Sequence, residues 1–142
     1  MPEESTTPDL VELTRRQLEA ANRGDLDAFM SIFAPDAVYD ASRDGLGVYE
    51  GSVAIRGLIG GWWGAFEDFQ LTLEEFLDLG SGVTYTVLRH DGRPAGSVGY
   101  VNTHQAYVSI VVESLVVGVT VYPDIDEARA AAQRLAQERA DG

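Results

Sequence analysis

The sequence predicts an α+β domain in which three helices lead into a run of antiparallel strands and a fourth helix closes the chain. Two observations carry this. Apolar residues recur at helical spacing up to about residue 66, and from Phe69 to Tyr122 they alternate at the period of a strand. A third is length: 142 residues bury roughly two-thirds of their extended surface, enough for one domain over residues 1–142.

Taken in order, residues 1–7 are expected to form a disordered tail. Thr7 and Pro8 then supply an N-cap and a first-turn proline. Leu10, Val11, Leu13, Leu18 and Ala21 form the stripe of the first helix, and Gly24 stops it. Asp25 caps a second helix expected to run through Ala34, ended by Pro35. Ala37 to Ser42 alternates as a short strand, with Val38 and Asp40 on one face and Tyr39 on the other. Arg43 to Glu50 reads as a loop or weak hairpin. A third helix over Val53 to Phe66 holds Trp62 and Trp63, and its internal glycines cost roughly 1 kcal/mol each against alanine, so packing must hold it.

The remainder is strand-rich. Phe69, Leu71 and Leu73 alternate until Glu74–Glu75 breaks the phase, which predicts a bulge. Gly80–Ser81–Gly82 turns the chain into a strand over Val83 to His90, and Asp91–Gly92–Arg93–Pro94 is expected to turn it back. A long strand over Ser97 to Val112 follows, then a tight turn at Glu113–Ser114 and a strand over Leu115 to Tyr122. Asp124 with Glu127 forms a capping box for a helix to about Ala140. Long bent strands over helices leave a conical cavity suited to a small molecule.

Composition removes several functions. Ten basic residues, all arginine, face twenty-three acidic ones, for a net charge of −13. Such a surface repels phosphate backbones and anionic lipid, so neither nucleic acid nor membrane is an expected partner. Without lysine there is no Schiff base or P-loop, and without cysteine no disulfide, thiol nucleophile or thiolate metal site. No cofactor is expected, because the glycine-rich run at 57–64 lacks the dinucleotide spacing. Two histidines and an aspartate could hold a metal, but no short ligand spacing supports it, so no metal is expected. The acidic start is unlike a signal peptide, and no apolar run approaches ~20 residues; a cytoplasmic location is the expectation.

The run Asn22–Arg23–Gly24–Asp25–Leu26–Asp27–Ala28–Phe29, followed by Phe33–Ala34–Pro35–Asp36–Ala37–Val38–Tyr39–Asp40, resembles the opening of a SnoaL-like protein of the NTF2-like superfamily. Tyr49–Glu50–Gly51 with Ala54–Ile55–Arg56, and the ending Val119 to Asp124, are similar to that family's third-helix entry and exit. The resemblance implies an NTF2-like cone: a curved antiparallel sheet wrapped over three N-terminal helices, here with an extra C-terminal helix. It spans ketosteroid isomerases, polyketide cyclases, limonene-epoxide hydrolases, scytalone dehydratases and non-catalytic pockets, so the fold does not choose the chemistry.

By resemblance, Asp40 matches the carboxylate base of ketosteroid isomerases. It either projects into the cone with a raised pKa, or ends its strand by capping the next loop through Ser42 or Arg43. The isomerase pattern fails at its oxyanion hole, where Gln17 and Ala106 stand. His90 shares a face with Thr86 and Leu88. His104, in phase with Asn102, Ala106 and Val108, faces inward if Ala106 does. Both could donate protons, as the two strand histidines of scytalone dehydratases imply; His90 at a hairpin end and His104 near the mouth also fit plain structural roles.

The expected catalytic set is therefore Asp40, His104 and His90. Gln17, Phe33, Trp63, Leu88, Asn102, Ala106 and Val121 would line a pocket for a small apolar organic ligand. An outer sheet face of Tyr107, Ser109, Val111, Thr120 and Tyr122 is the expected homodimer surface. Three functions stay open: a cofactor-free acid–base enzyme of isomerase, cyclase or dehydratase type, a ligand-binding protein, and a scaffold whose cone is filled by its own side chains.

Overall fold

The computed structural model describes residues 10–142, so the expected tail and the Thr7–Pro8 helix start lie outside the described residues. The elements run α1 (Leu10–Asn22), α2 (Leu26–Met30), β1 (Phe33–Asp40), a 3₁₀ turn (Ser42–Asp44), β2 (Val48–Glu50), α3 (Ser52–Gly64), β3 (Phe66–Gly80), β4 (Val83–Pro94), β5 (Val101–Val112), β6 (Leu115–Tyr122) and α4 (Ile125–Asp141). This is the α+β order expected. Six strands form one curved sheet ordered β2-β1-β6-β5-β4-β3. All neighbours are antiparallel except β1 and β6, which run parallel.

Local signals correctly placed the bulge, the Glu113–Ser114 turn and the α4 cap. The β3–β4 register slips between Leu73 and Glu75, where the acidic pair breaks the alternation. Glu113 and Ser114 both adopt positive φ (53° and 68°), the two-residue turn whose twist matches antiparallel strands. Asp124 caps α4 by accepting from the Glu127 amide at 3.0 Å.

Several boundaries differ from expectation: β1 begins at Phe33 rather than Ala37, α3 ends at Gly64 rather than Phe66, and β5 begins at Val101 rather than Ser97. The second helix ends at Met30 rather than Ala34, because the Ile32 carbonyl is taken by the Val116 amide at 2.7 Å and Phe33 pairs with Val116 in the sheet. Pro35, lacking an amide hydrogen, sits where the β1–β6 register shifts between Phe33 and Val38. The expected turn at Asp91–Pro94 is instead the end of β4: Asp91 pairs with Gln70 and Asn102, and Gly92 with Phe69 and Val101. Gly92 serves close approach, since a Cβ there would lie 2.7 Å from the Asp68 carbonyl oxygen.

The helices are not confined to one side of the sheet. α1 and α3 close the concave face, and the paired amide of Asn22 clips α1 to β3 by donating to the Leu71 carbonyl (3.0 Å) and accepting from its amide (2.8 Å). α4 lies across the convex face. Its Ala128, Ala132 and Ala136, one turn apart, are buried in a cluster with Val83, Tyr85, Val87, Ala106, Val108 and Tyr122. Arg129 adds an ion pair to Glu75 at 2.6 Å, and Arg139 donates to the Ser81 carbonyl at 2.8 Å.

Strand alternation therefore sorts β4 and β5 into two buried sets. Val83, Tyr85, Val87, Ala106 and Val108 go beneath α4, while Thr84, Thr86, Leu88, His90, Tyr107, Ser109 and Val111 face the cone. This corrects the outer face expected for a dimer: Tyr107, Ser109 and Val111 line the cavity, and Tyr122 is buried under α4 beside the half-buried Thr120.

Because Ala132 of α4 is fully buried against the sheet, Ala132→Asp places an unpaired carboxylate there. The expected loss is about 3–5 kcal/mol, read as a lowered urea midpoint. An unchanged midpoint would mean that α4 does not pack there.

Candidate ligand-binding site

Between the concave face, α1 and α3 lies a cavity of about 560 Å³. Its wall is mainly apolar and aromatic. Phe29, Phe33, Trp62, Trp63 and Phe66 all reach it, with Phe29 and Trp63 edge to face at 5.1 Å between ring centroids and Trp62 and Phe66 at 5.4 Å. Both tryptophans line the space.

Polar groups form one connected line across this wall. The Asp44 carboxylate can only accept, so the Gln105 amide nitrogen donates to it. That leaves the Gln105 carbonyl oxygen to accept from the Tyr107 hydroxyl at 3.2 Å. With its proton committed, Tyr107 accepts from Nε2–H of His90 at 2.9 Å. His90 is thereby fixed as the Nε2–H tautomer, and its buried Nδ1 keeps a lone pair with no partner. Trp62 stands edge-on to the His90 ring at 5.0 Å.

The titration of these groups follows from burial. Desolvation pushes the His90 pKa down to about 4, against a smaller upward pull from Asp91 and a further downward push from His104. The imidazole is neutral at pH 7. Burial first, then the charge of Asp44, raises the Tyr39 hydroxyl; burial, then Tyr39 and Asp44, raises Tyr107. Both phenols stay protonated. Tyr39 faces the cavity with no hydrogen-bond partner among the described residues.

Of the residues expected to form the site, His90, Gln17, Phe33, Trp63, Leu88 and Val121 line the cavity, and Gln17 donates to the Phe29 carbonyl at 3.4 Å. The others are placed differently. Asp40 points away from the cone, because β1 turns Ala37, Tyr39 and Ala41 inward and Val38 (39% exposed) and Asp40 outward. Its carboxylate accepts from the Ser42 hydroxyl at 2.6 Å and the Ser42 amide at 3.0 Å, which lowers its pKa where a raised one was expected. The loop-capping alternative describes Asp40, and the cone-facing position beside it is Ala41, which cannot ionise.

Ala106 and Asn102 lie on the convex face: Ala106 is fully buried in the cluster under α4, and Asn102 donates to Asp91. His104 shares that face. It borders the cavity mouth, yet its Nε2 lies 3.0 Å from Glu74 and its side chain is 44% exposed. His90 and His104 thus do not converge, since His90 pairs in register with Thr103 and His104 with Arg89. Sequence reasoning missed Tyr39, Asp44, Gln105 and Tyr107. The available signal was the alternation Thr103, Gln105, Tyr107, Ser109, whose polar and aromatic members suit a cavity better than Ala106 and Val108 do.

The SnoaL-like domain model matches residues 14–113. The chain belongs to the SnoaL-like family. Solved structures similar to this SnoaL-like chain share its fold at low identity. A hypothetical protein with a ketosteroid isomerase-like fold from Catenulispora acidiphila, crystallised in complex with trimethylamine, is 16% identical, with a TM-score of 0.70 over 89% of this chain and 94% of that one. An NTF2-like protein of unknown function from Burkholderia pseudomallei is 19% identical, with a TM-score of 0.69 over 82% and 92%. A polyketide cyclase candidate from Sinorhizobium meliloti is 21% identical, with a TM-score of 0.64 over 78% and 94%. These likenesses show the NTF2-like fold. No protein of curated function matches the sequence.

The tautomer and the depressed pKa of His90 make a joint prediction for ¹⁵N-edited NMR. His90 should show a protonated Nε2 and a bare Nδ1, and should not titrate above about pH 5. Because its pKa is lower in the folded than in the unfolded chain (about 6.5), its contribution to stability is present above pH 6.5 and is lost as pH falls toward 4. A His90 midpoint near 6.5 would contradict the buried, neutral imidazole.

Proposed function

We propose that this chain is a small-molecule-binding protein whose cone takes a largely apolar organic molecule of about ring-system size carrying one polar group. The observation that carries this reading is the cavity itself: an aromatic wall around about 560 Å³, crossed by a hydrogen-bonded line of polar side chains. The rings supply contact area, and the Tyr39 hydroxyl, open to the cavity, is the group that donates to a ligand oxygen or accepts from a ligand N–H. That a structure of the same fold was crystallised with a small amine is in keeping with a cone used for small organic molecules.

The geometry favours binding over the acid–base turnover considered from sequence. Asp40 is turned to Ser42, His104 is paired with Glu74, and a His90 held at a pKa of about 4 is a weak base at neutral pH. A cone filled by its own side chains is disfavoured by the open volume that the rings leave.

The two tryptophans, both on the cavity wall, report occupancy. 2-Naphthol, a bicyclic ring with one hydroxyl, should quench their fluorescence saturably with one molecule bound per chain. Tyr39→Phe should weaken it about 5- to 10-fold, the effect of one hydrogen bond, while naphthalene binds both proteins alike. Linear, unsaturable quenching, or equal 2-naphthol affinity in both proteins, would overturn this anchoring of the ligand.

A further inference from the structure

Charge in the cavity is one-sided. Asp44 is the one acidic side chain among the lining residues, and no arginine reaches the wall. The chain has no lysine to supply a counter-charge. Among the described residues Asp44 accepts from Gln105 and joins no ion pair. Its neighbour Arg43 is turned the other way, with its guanidinium 3.8 Å from Glu127 and 4.6 Å from the centre of the Tyr122 ring. Of the two histidines among the lining residues, His90 is committed through Nε2 to Tyr107 and His104, at the mouth, is paired with Glu74, so neither offsets the carboxylate.

A carboxylate on an apolar wall without a counter-charge is complementary to a cation, because the pair would form where the effective dielectric is lower than that of water. The surroundings suit a particular kind of cation. Tyr39 and Tyr107 are close enough to Asp44 for its charge to act on both hydroxyls, and Trp62, Trp63 and Phe29 complete the wall. Aromatic rings attract alkylated ammonium groups through their negative faces and do not attract carboxylates. A net charge of −13 adds a long-range field that draws cations toward the mouth and repels anions.

Building on the ligand-binding reading, we propose that the polar group of the ligand is a cationic nitrogen: the cone selects a protonated or alkylated amine, with its nitrogen beside Asp44 and its apolar part against the aromatic wall. The charge of the ligand, more than its outline, then sets specificity.

Three probes of one shape and different charge separate this from size selection: 2-naphthylmethylamine, which is cationic at pH 7, the neutral 2-naphthalenemethanol and the anionic 2-naphthoate. Calorimetric titration should give the amine at least 10-fold tighter binding than the alcohol, with the naphthoate weakest. In Asp44→Asn the amine-over-alcohol ratio should collapse toward one, and in wild type much of it should survive 0.5 M NaCl, which screens the general field but not a close pair. An alcohol that binds as tightly as the amine overturns the proposal in wild type alone. So does a preference that persists in Asp44→Asn or vanishes entirely in salt, which would assign it to net charge. Binding of the alcohol and the amine with equal affinity leaves the ligand-binding reading standing, whereas binding by none of the three removes both.

Discussion

Everything about this cavity depends on the sheet being covered on both sides. α4 lays Ala128, Ala132 and Ala136 on the convex face, and their small side chains let the helix approach Tyr85, Ala106 and Val108 closely. That removes the convex face as a place for chemistry and gives its positions to aliphatic packing. The concave face is left to α1 and α3, which close over it without filling it. Each strand residue then has one of two fates, set by the parity of its position.

Parity also brings the polar line together. Leu88 and Gln105, Thr86 and Tyr107, and His90 and Thr103 are cross-strand partners on the concave face, so Gln105, Tyr107 and His90 become neighbours through register alone. The 3₁₀ turn after β1 delivers Asp44 to Gln105, sixty-one positions away in sequence. Direction in the line comes from its one fixed acceptor. Asp44 orients the Gln105 amide, the amide orients the Tyr107 hydroxyl, and the hydroxyl selects the His90 tautomer. In an apolar enclosure these groups remain neutral, and Asp44 is left as the charge a ligand meets.

What the sequence made legible was local. The bulge at Glu74–Glu75, the Gly80–Ser81–Gly82 and Glu113–Ser114 turns and the Asp124 cap each follow from residues within a few positions of one another. Family motifs added the order of elements and the existence of a cone. The choice of face was not legible, because alternation divides a strand into two sets without saying which meets the cavity. In β1 the apolar Val38 suggested that its face was inward, yet Val38 is exposed and Tyr39 is inward. In β5 the small Ala106 suggested a pocket, yet its smallness serves the approach of α4. One error of parity in each strand moved Asp40, Asn102 and His104 into the site and left Tyr39, Gln105 and Tyr107 out. Asp44 was missed for a different reason: it lies in a turn, where no period marks direction.

The central claim is that the face bearing Tyr39, Tyr107 and His90 is the ligand-binding face. A crystal structure of the chain soaked with 2-naphthol tests it most directly. The ring system is predicted among Phe29, Trp62 and Trp63, with its oxygen within about 3 Å of the Tyr39 hydroxyl. Ligand density against Asp40, Asn102 or the surface of α4, with the cone empty, would contradict it.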